Sequence, residues 1–327
     1  MSIPIYDGIF LIIQFFCYVL YILLVICFSV KIHKDKKISC DTTSFVYHFI
    51  ANSFFDFLQV FDVIVFQKFL HWDILIPFYL SDPWFITLYL PVAYVSISGS
   101  VLGLLINVVN RYCALSHISF FKNFWTKSTS LKLIFLQFLL PILAFSYSYP
   151  HKAYVVYVPS FNFYVLSLKN NLVALMNNAL LMGISMVAAI ITTILNIIIL
   201  RNYKKLVVKK SRKESSKLFS MLFYMIITTL CLFALAFEQL IRLCFVIVGY
   251  KEGVYHLTYA LFWILPILTM VQPIITLIMS KSLREYFLLF YFKRFLPRKR
   301  QIDQTGMARI NDTKNQTQIR TLKKITI

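Results

Sequence analysis

Glu238 and Arg242 stand four residues apart inside a long apolar run, so on a helix they share one face and can form an ion pair. Such a pair either neutralises itself and fixes helix packing, or lines a water-filled cavity and hydrogen-bonds the polar end of a ligand. Asp56 sits midway along another apolar run, where a charged group is costly and seldom accidental. It is a candidate internal polar switch and equally a candidate hydrogen-bond knot, and the two roles are compatible. Asn110, Arg111 and Tyr112 close a third apolar run. The arginine there either snorkels to a bilayer surface beside an interfacial tyrosine or reaches an acceptor on a partner protein.

Enzymatic chemistry is not expected. The chain has no HExxH, GxSxG, GxxxxGK[ST] or GxGxxG, and its seven glycines are too scattered to cradle a phosphate. The cysteines, Cys17, Cys27, Cys40, Cys113, Cys231 and Cys244, have no CxxC spacing for a metal or redox site. No catalytic residue, metal or cofactor is therefore expected.

The elements that hold these groups follow from composition. Of 327 residues, 59% are apolar and 14% charged, against about 25% charged in a typical soluble domain. A bilayer core about 30 Å thick takes about 20 apolar residues per helix. Long apolar stretches fall at residues 8–30, 43–66, 84–109, 131–149, 175–200, 218–248 and 256–280. None alternates like a membrane strand. The expected fold is an all-α membrane protein, a bundle of seven transmembrane helices, with the sixth too long for one vertical crossing.

Basic residues set the orientation. The first, third and fifth connections hold clusters such as Lys34, Lys36, Lys37 and Lys204, Lys205, Lys209, Lys210, and twelve more basic residues follow from Lys281 to Lys324. The other side has only Lys68, Lys152, Lys169 and Lys251. The positive-inside rule then puts the N-terminus outside and the C-terminus in the cytosol. The formal charge of +20 is an orientation signal suited to anionic inner-leaflet lipid, and nucleic acid is not needed to explain it. No cleavable signal peptide is expected, because residues 1–7 contain no Lys or Arg.

Local signals refine the bundle. Gly99 and Gly103 form a GxxxG step in the third helix, where small residues let neighbours approach. The seventh helix, with Pro266 and Pro273, should bend twice. Its Phe262 and Trp263 either wall a pocket or face lipid. Two β-prone runs, 154–158 and 161–165, flank Pro159 and Ser160 and predict a short hairpin over the outer mouth of the bundle. Residues 281–295, with Leu283, Phe287 and Phe290 on one side, predict a short amphipathic helix on the inner leaflet. Residues 1–295 thus form the membrane domain, and 296–327 a basic, disordered cytosolic tail.

Seven spans with NRY at residues 110–112 resemble a G-protein-coupled receptor. Finer features resemble the nematode serpentine chemoreceptors of class gamma: NRYCAL at 110–115, FFKNFW at 120–125, the Leu140-Pro141 step and AYVVY at 153–157. The resemblance covers roughly residues 5–295. It implies a chemosensory receptor in the plasma membrane that takes a small external ligand between the outer halves of helices three, five, six and seven. Tyr94, Ile97, Glu238, Arg242 and Trp263 are the candidate pocket residues. It also implies coupling to a heterotrimeric G protein through Asn110, Arg111 and Tyr112. Departures from the rhodopsin-like pattern limit the carry-over to Arg111. Asn110 stands where an acidic residue usually precedes the arginine, Gln272, Pro273 and Thr276 replace an NPxxY, and the outer cysteine tether is missing. Two other readings stay open: a ligand-gated channel or transporter of seven helices, which would want charges along a continuous path or an internal repeat, and a membrane scaffold without a ligand.

Overall fold

The computed structural model of the protein describes residues 4–34, 40–81, 84–116, 118–159, 162–208, 212–279 and 281–292. It has two compact units, one ending at Met279 and one beginning at Ser280. Hydrocarbon cannot hydrogen-bond peptide groups, so a chain this poor in charge satisfies its backbone within each segment, as helices do. Among the described residues seven helices are long and apolar enough to cross a membrane: Ile5–His33, Ser44–His71, Trp84–Ala114, Lys127–Ala144, Asn171–Arg201, Leu222–Val248 and Lys251–Ile278. Numbered one to seven in chain order, these spans are the expected all-α bundle.

The third span is the central strut. In its most apolar stretch 67% of residues are buried, against 17% in spans one and four. The glycines explain the closeness. Gly99 admits the Phe55 ring, Gly103 admits the side chains of Asn52 and Gln137, and a Cβ at either position would collide with them. Phe55, Val101, Leu104, Leu181, Leu235 and Leu265, from spans two, three, five, six and seven, share one core.

Span two runs further than hydropathy suggests. The expected end at Phe66 gives way to a helix that continues through a π-helical segment, Asp62–Lys68, to His71. Lys68 ends a hydropathy window, yet in the fold its side chain is buried and its ammonium lies over the Phe10 and Trp72 rings. The Tyr79 hydroxyl, from the short helix Ile76–Leu80, donates to the Val65 carbonyl within the π-helical segment.

Spans five and six belong to helices of 38 and 37 residues, Asn171–Val208 and Arg212–Val248. At about 1.5 Å per residue each is about 55 Å long, well beyond a hydrocarbon core of about 30 Å. The projection expected of the sixth helix is thus shared by the fifth. Asn196 Nδ2 joins them by donating to Thr229 Oγ1 at 2.7 Å and to the Met225 carbonyl at 3.2 Å. Span seven keeps Pro266 and Pro273 inside one helix.

The expected hairpin is present. Strands β1, Ala153–Val158, and β2, Phe163–Leu168, pair antiparallel with Ala153 opposite Leu168 and Val158 opposite Phe163. The second strand starts two residues later than β-propensity alone indicates and runs on to Leu168. Ala153 packs with Leu70, Tyr79 and Ile86, while Val158, Phe163 and Val165 pack with Tyr255 of span seven. The hairpin therefore lies against the ends of spans two, three and seven opposite to Arg111.

The second unit contains the helix Lys281–Phe292. Within it Tyr286 stacks on Phe290 with centroids 6.3 Å apart, and Phe287 meets Tyr291 at 5.1 Å. The tail expected over 296–327 lies outside the described residues.

Candidate functional site

One carboxylate gathers the middle of the bundle. Asp56 Oδ2 accepts hydrogen bonds from the Tyr21 hydroxyl at 2.7 Å and Asn52 Nδ2 at 3.1 Å, and Oδ1 accepts one from Ser100 Oγ at 2.7 Å. Asn52 Nδ2 also donates to Gln272 Oε1 at 2.7 Å. Gln137 Nε2 donates to Asn52 Oδ1 at 3.2 Å and to the Gly99 carbonyl at 2.9 Å. Spans one, two, three, four and seven thus meet in a single buried network, as a charge in hydrocarbon requires. Beside it the Tyr18 and Thr269 hydroxyls, 2.8 Å apart, link spans one and seven again.

At one end of the bundle lies the triplet of residues 110–112. Asn110 is buried and its Nδ2 donates to Ser44 Oγ at 3.1 Å, while Ser44 and Ser130 share a 2.9 Å bond. Asn110 therefore ties spans two, three and four instead of opposing Arg111. The arginine uses a π face: its guanidinium carbon lies 3.9 Å from the Phe45 ring centroid. Its Nε is buried without a hydrogen-bond partner. Tyr112 packs against the cluster of Val108, Ile199, Leu222, Tyr224 and Ile275. The aromatic run after span three supports this end, since Phe121 and Trp125 pack on Cys113 and Trp125 meets His48 edge-on at 5.6 Å.

The opposite, hairpin end holds the ion pair. Arg242 donates to Glu238 Oε1 through Nη2 at 2.8 Å and Nε at 3.0 Å, and through Nη1 to Thr258 Oγ1 of span seven at 3.0 Å. Gln239 Nε2 donates to Glu238 Oε2 at 2.5 Å. Both charged residues are buried, which two N–H groups on one carboxylate oxygen and the added hydrogen bonds of Gln239 and Thr258 make tolerable. Tyr94 stacks on Phe145 at 5.4 Å and its hydroxyl donates to Asn178 Oδ1 at 3.3 Å. Tyr147 donates to Asn177 Oδ1 at 2.8 Å. Burial raises the Tyr147 phenol above its ordinary pKa, so it remains a donor at neutral pH. An open groove of about 660 Å³ runs at the foot of the hairpin between Pro150–Lys152 and Lys169–Leu172, outside the bundle.

A family model described as Srg family chemoreceptor matches residues 11–287. The chain belongs to the Srg chemoreceptor family. A search of functionally curated proteins finds no match. The matched segment takes in the Asp56 network, Arg111 and the ion pair, so all three belong to the receptor portion of a multi-pass membrane chemoreceptor.

The fold of this chemoreceptor sorts the residues singled out in the sequence. Glu238 and Arg242 are brought together, and Tyr94 and Ile97 lie on the neighbouring face of span three, with Ile97 in the central core. Trp263 falls in another cluster, against Phe10 at 4.5 Å and Tyr6 at 6.0 Å of span one. Asn110, Arg111 and Tyr112 point to three different surroundings. Sequence reading missed Tyr21, Asn52, Ser100, Gln137 and Gln272, the partners of Asp56, and Phe45, the partner of Arg111. The first five carry a usable signal, since each is a polar residue inside an apolar run. Phe45 carries none among 32 phenylalanines.

Proposed function

We propose that this chemoreceptor binds a small external ligand at the hairpin end and signals from the plasma membrane through a heterotrimeric G protein at the Arg111 end. The N-terminus is then outside and the C-terminus in the cytosol. The observation that carries the reading is the seating of Arg111. It closes the most buried span and rests on an uncharged ring, so it can be released without separating an ion pair.

The bundle suggests which parts move. Spans one, two, three, four and seven share the Asp56 network, while spans five and six are joined through Asn196. A ligand among Tyr94, Ile97, Glu238 and Arg242 acts on span six where it meets span seven at Thr258. Its binding favours a state in which the far end of span six swings away and uncovers Arg111 to the G protein. The shift is limited to the ligand's differential affinity for the two states, about 1.4 kcal/mol per tenfold. Anionic lipid of the inner leaflet is a further partner, facing the basic connections.

The test is a coupling assay in cells expressing the full chain, with wild type compared with Arg111→Ala at equal surface density. Loss of ligand-evoked signalling in Arg111→Ala is expected. Intact signalling at normal surface density would refute the mechanism.

A further inference from the structure

Lys68 is an unusual residue to find where it lies. Its side chain is fully buried and its Nζ has no hydrogen-bond partner. Two rings flank the ammonium, Phe10 at 5.4 Å and Trp72 at 5.6 Å from their centroids. Trp263 packs on Phe10 beside them, with ring centroids 4.5 Å apart. Asp7 is also buried, with Oδ1 unpartnered and Oδ2 accepting from Trp72 Nε1 across 3.4 Å. His71, one turn beyond Lys68, is ringed by Phe163, Tyr259 and Phe262, and its Nδ1 has no partner.

A buried ammonium without a hydrogen-bonded acceptor carries a large desolvation cost, which cation–π contacts of about 1–2 kcal/mol and the charge of Asp7, beyond hydrogen-bond reach, offset only in part. Ionisable groups kept within a membrane span at such cost mark functional sites, and π-helical segments such as Asp62–Lys68 concentrate at them. The three N–H donors of one ammonium fit a singly charged acceptor. A doubly charged phosphate would leave one charge uncompensated among aromatic rings. The rings match an apolar ligand body.

We infer that Lys68 is the acid anchor of the ligand site: the receptor recognises a small organic carboxylate whose head pairs with the Lys68 ammonium and whose apolar body lies along Phe10, Trp72 and Trp263. The inference rests on the reading that this protein binds an external ligand, and it moves the polar anchor from the self-satisfied Glu238–Arg242 pair to a buried cation without a hydrogen-bonded acceptor. Trp263, which the fold separates from that pair, becomes part of the site.

The test uses the full chain purified in detergent, so it does not depend on coupling. Thermal unfolding is followed for wild type, Lys68→Met and Lys68→Arg, each alone and titrated with octanoate, octanol, phenylpropionate and phenylpropanol. Without additive, the unfolding temperature of each variant sets the zero of its own titration, since Lys68→Met removes a buried cation and at the same time the charge that faces Asp7. At least one carboxylate should stabilise wild type while its alcohol does not. That carboxylate should bind Lys68→Met at least about tenfold more weakly and Lys68→Arg within a few-fold of wild type. Stabilisation by neither carboxylate, equal stabilisation by acid and alcohol, or an unchanged titration in Lys68→Met would each overturn the anchor. Carboxylate binding by the purified wild-type chain without ligand-evoked signalling in cells counts against G-protein coupling and leaves the anchor standing.

Discussion

Replacing Phe45 by leucine removes the π face under Arg111 while keeping an apolar side chain in place. The guanidinium carbon sits 3.9 Å from the ring centroid and Phe45 is 2% exposed, so the contact belongs to the desolvated class, worth about 1–2 kcal/mol. If the ring holds Arg111 in the resting state, its loss shifts the resting-to-active ratio about 5- to 30-fold. A receptor active about 1% of the time would then be active about 5–25% of the time without ligand. The assay is ligand-independent G-protein signalling, normalised to surface density, in wild type, Phe45→Leu, Phe45→Trp and Phe49→Leu. Phe45→Leu should raise basal output severalfold, whereas Phe45→Trp, the better cation–π partner, should leave it at or below wild type. Phe49→Leu is the packing control. It trims a buried ring that meets Tyr21, Phe28 and Phe45 without touching the cation, and should lower stability without raising basal output. Unchanged basal output in Phe45→Leu, or an equal rise in Phe49→Leu, would refute the idea that the ring restrains Arg111.

Gly103→Ala should lower thermal stability by about 1–3 kcal/mol, the range for overpacking, because its Cβ would strike Asn52 and Gln137. Gly183→Ala, with nothing near its Cβ, should be neutral or gain up to about 1 kcal/mol; equal losses in thermal unfolding would contradict the tight approach of span three. Glu238→Leu alone should cost about 3–5 kcal/mol by stranding Arg242, and Glu238→Leu combined with Arg242→Met should recover much of that loss, as an unfolding double-mutant cycle would read. Additive losses would mean that the pair is not coupled. Epitopes at the two termini, stained before and after permeabilisation, should report an exposed N-terminus and a hidden C-terminus. The reverse pattern would place Arg111 on the wrong face for a G protein.

What could be read without coordinates was local. Glu238 and Arg242 pair because four residues bring side chains together on any helix, and Gly99 and Gly103 admit neighbours for a similarly short-range reason. The charge of Asp56 in an apolar run foretold a network, but its partners Tyr21, Ser100 and, through Asn52, Gln272 depend on which helix faces meet. Periodicity within one span does not fix that. Lys68 misled the boundary of span two, since a hydropathy window counts its charge and cannot see the rings that cover it. Trp263 groups by sequence with the pocket between spans three, five, six and seven, whereas its neighbours Tyr6 and Phe10 come from span one. The cation–π seat of Arg111 was hidden for a plainer reason: the motif directs attention to an acidic partner, and the one used is a phenylalanine in span two.

The Asp56 network also bears on how the chain is made. Ribosomes deliver helices in order, so Asp56 enters the bilayer with only Tyr21 and Asn52 already synthesised as donors. Ser100 arrives 44 residues later, and Gln272, which engages Asn52, 220 residues after that asparagine. The Asp56 carboxylate is therefore provided for by the time span three is complete. The later helices are recruited onto a three-helix nucleus whose polar centre already has its donors. Span seven, closing onto Asn52 through Gln272, acts as the final latch of biosynthesis.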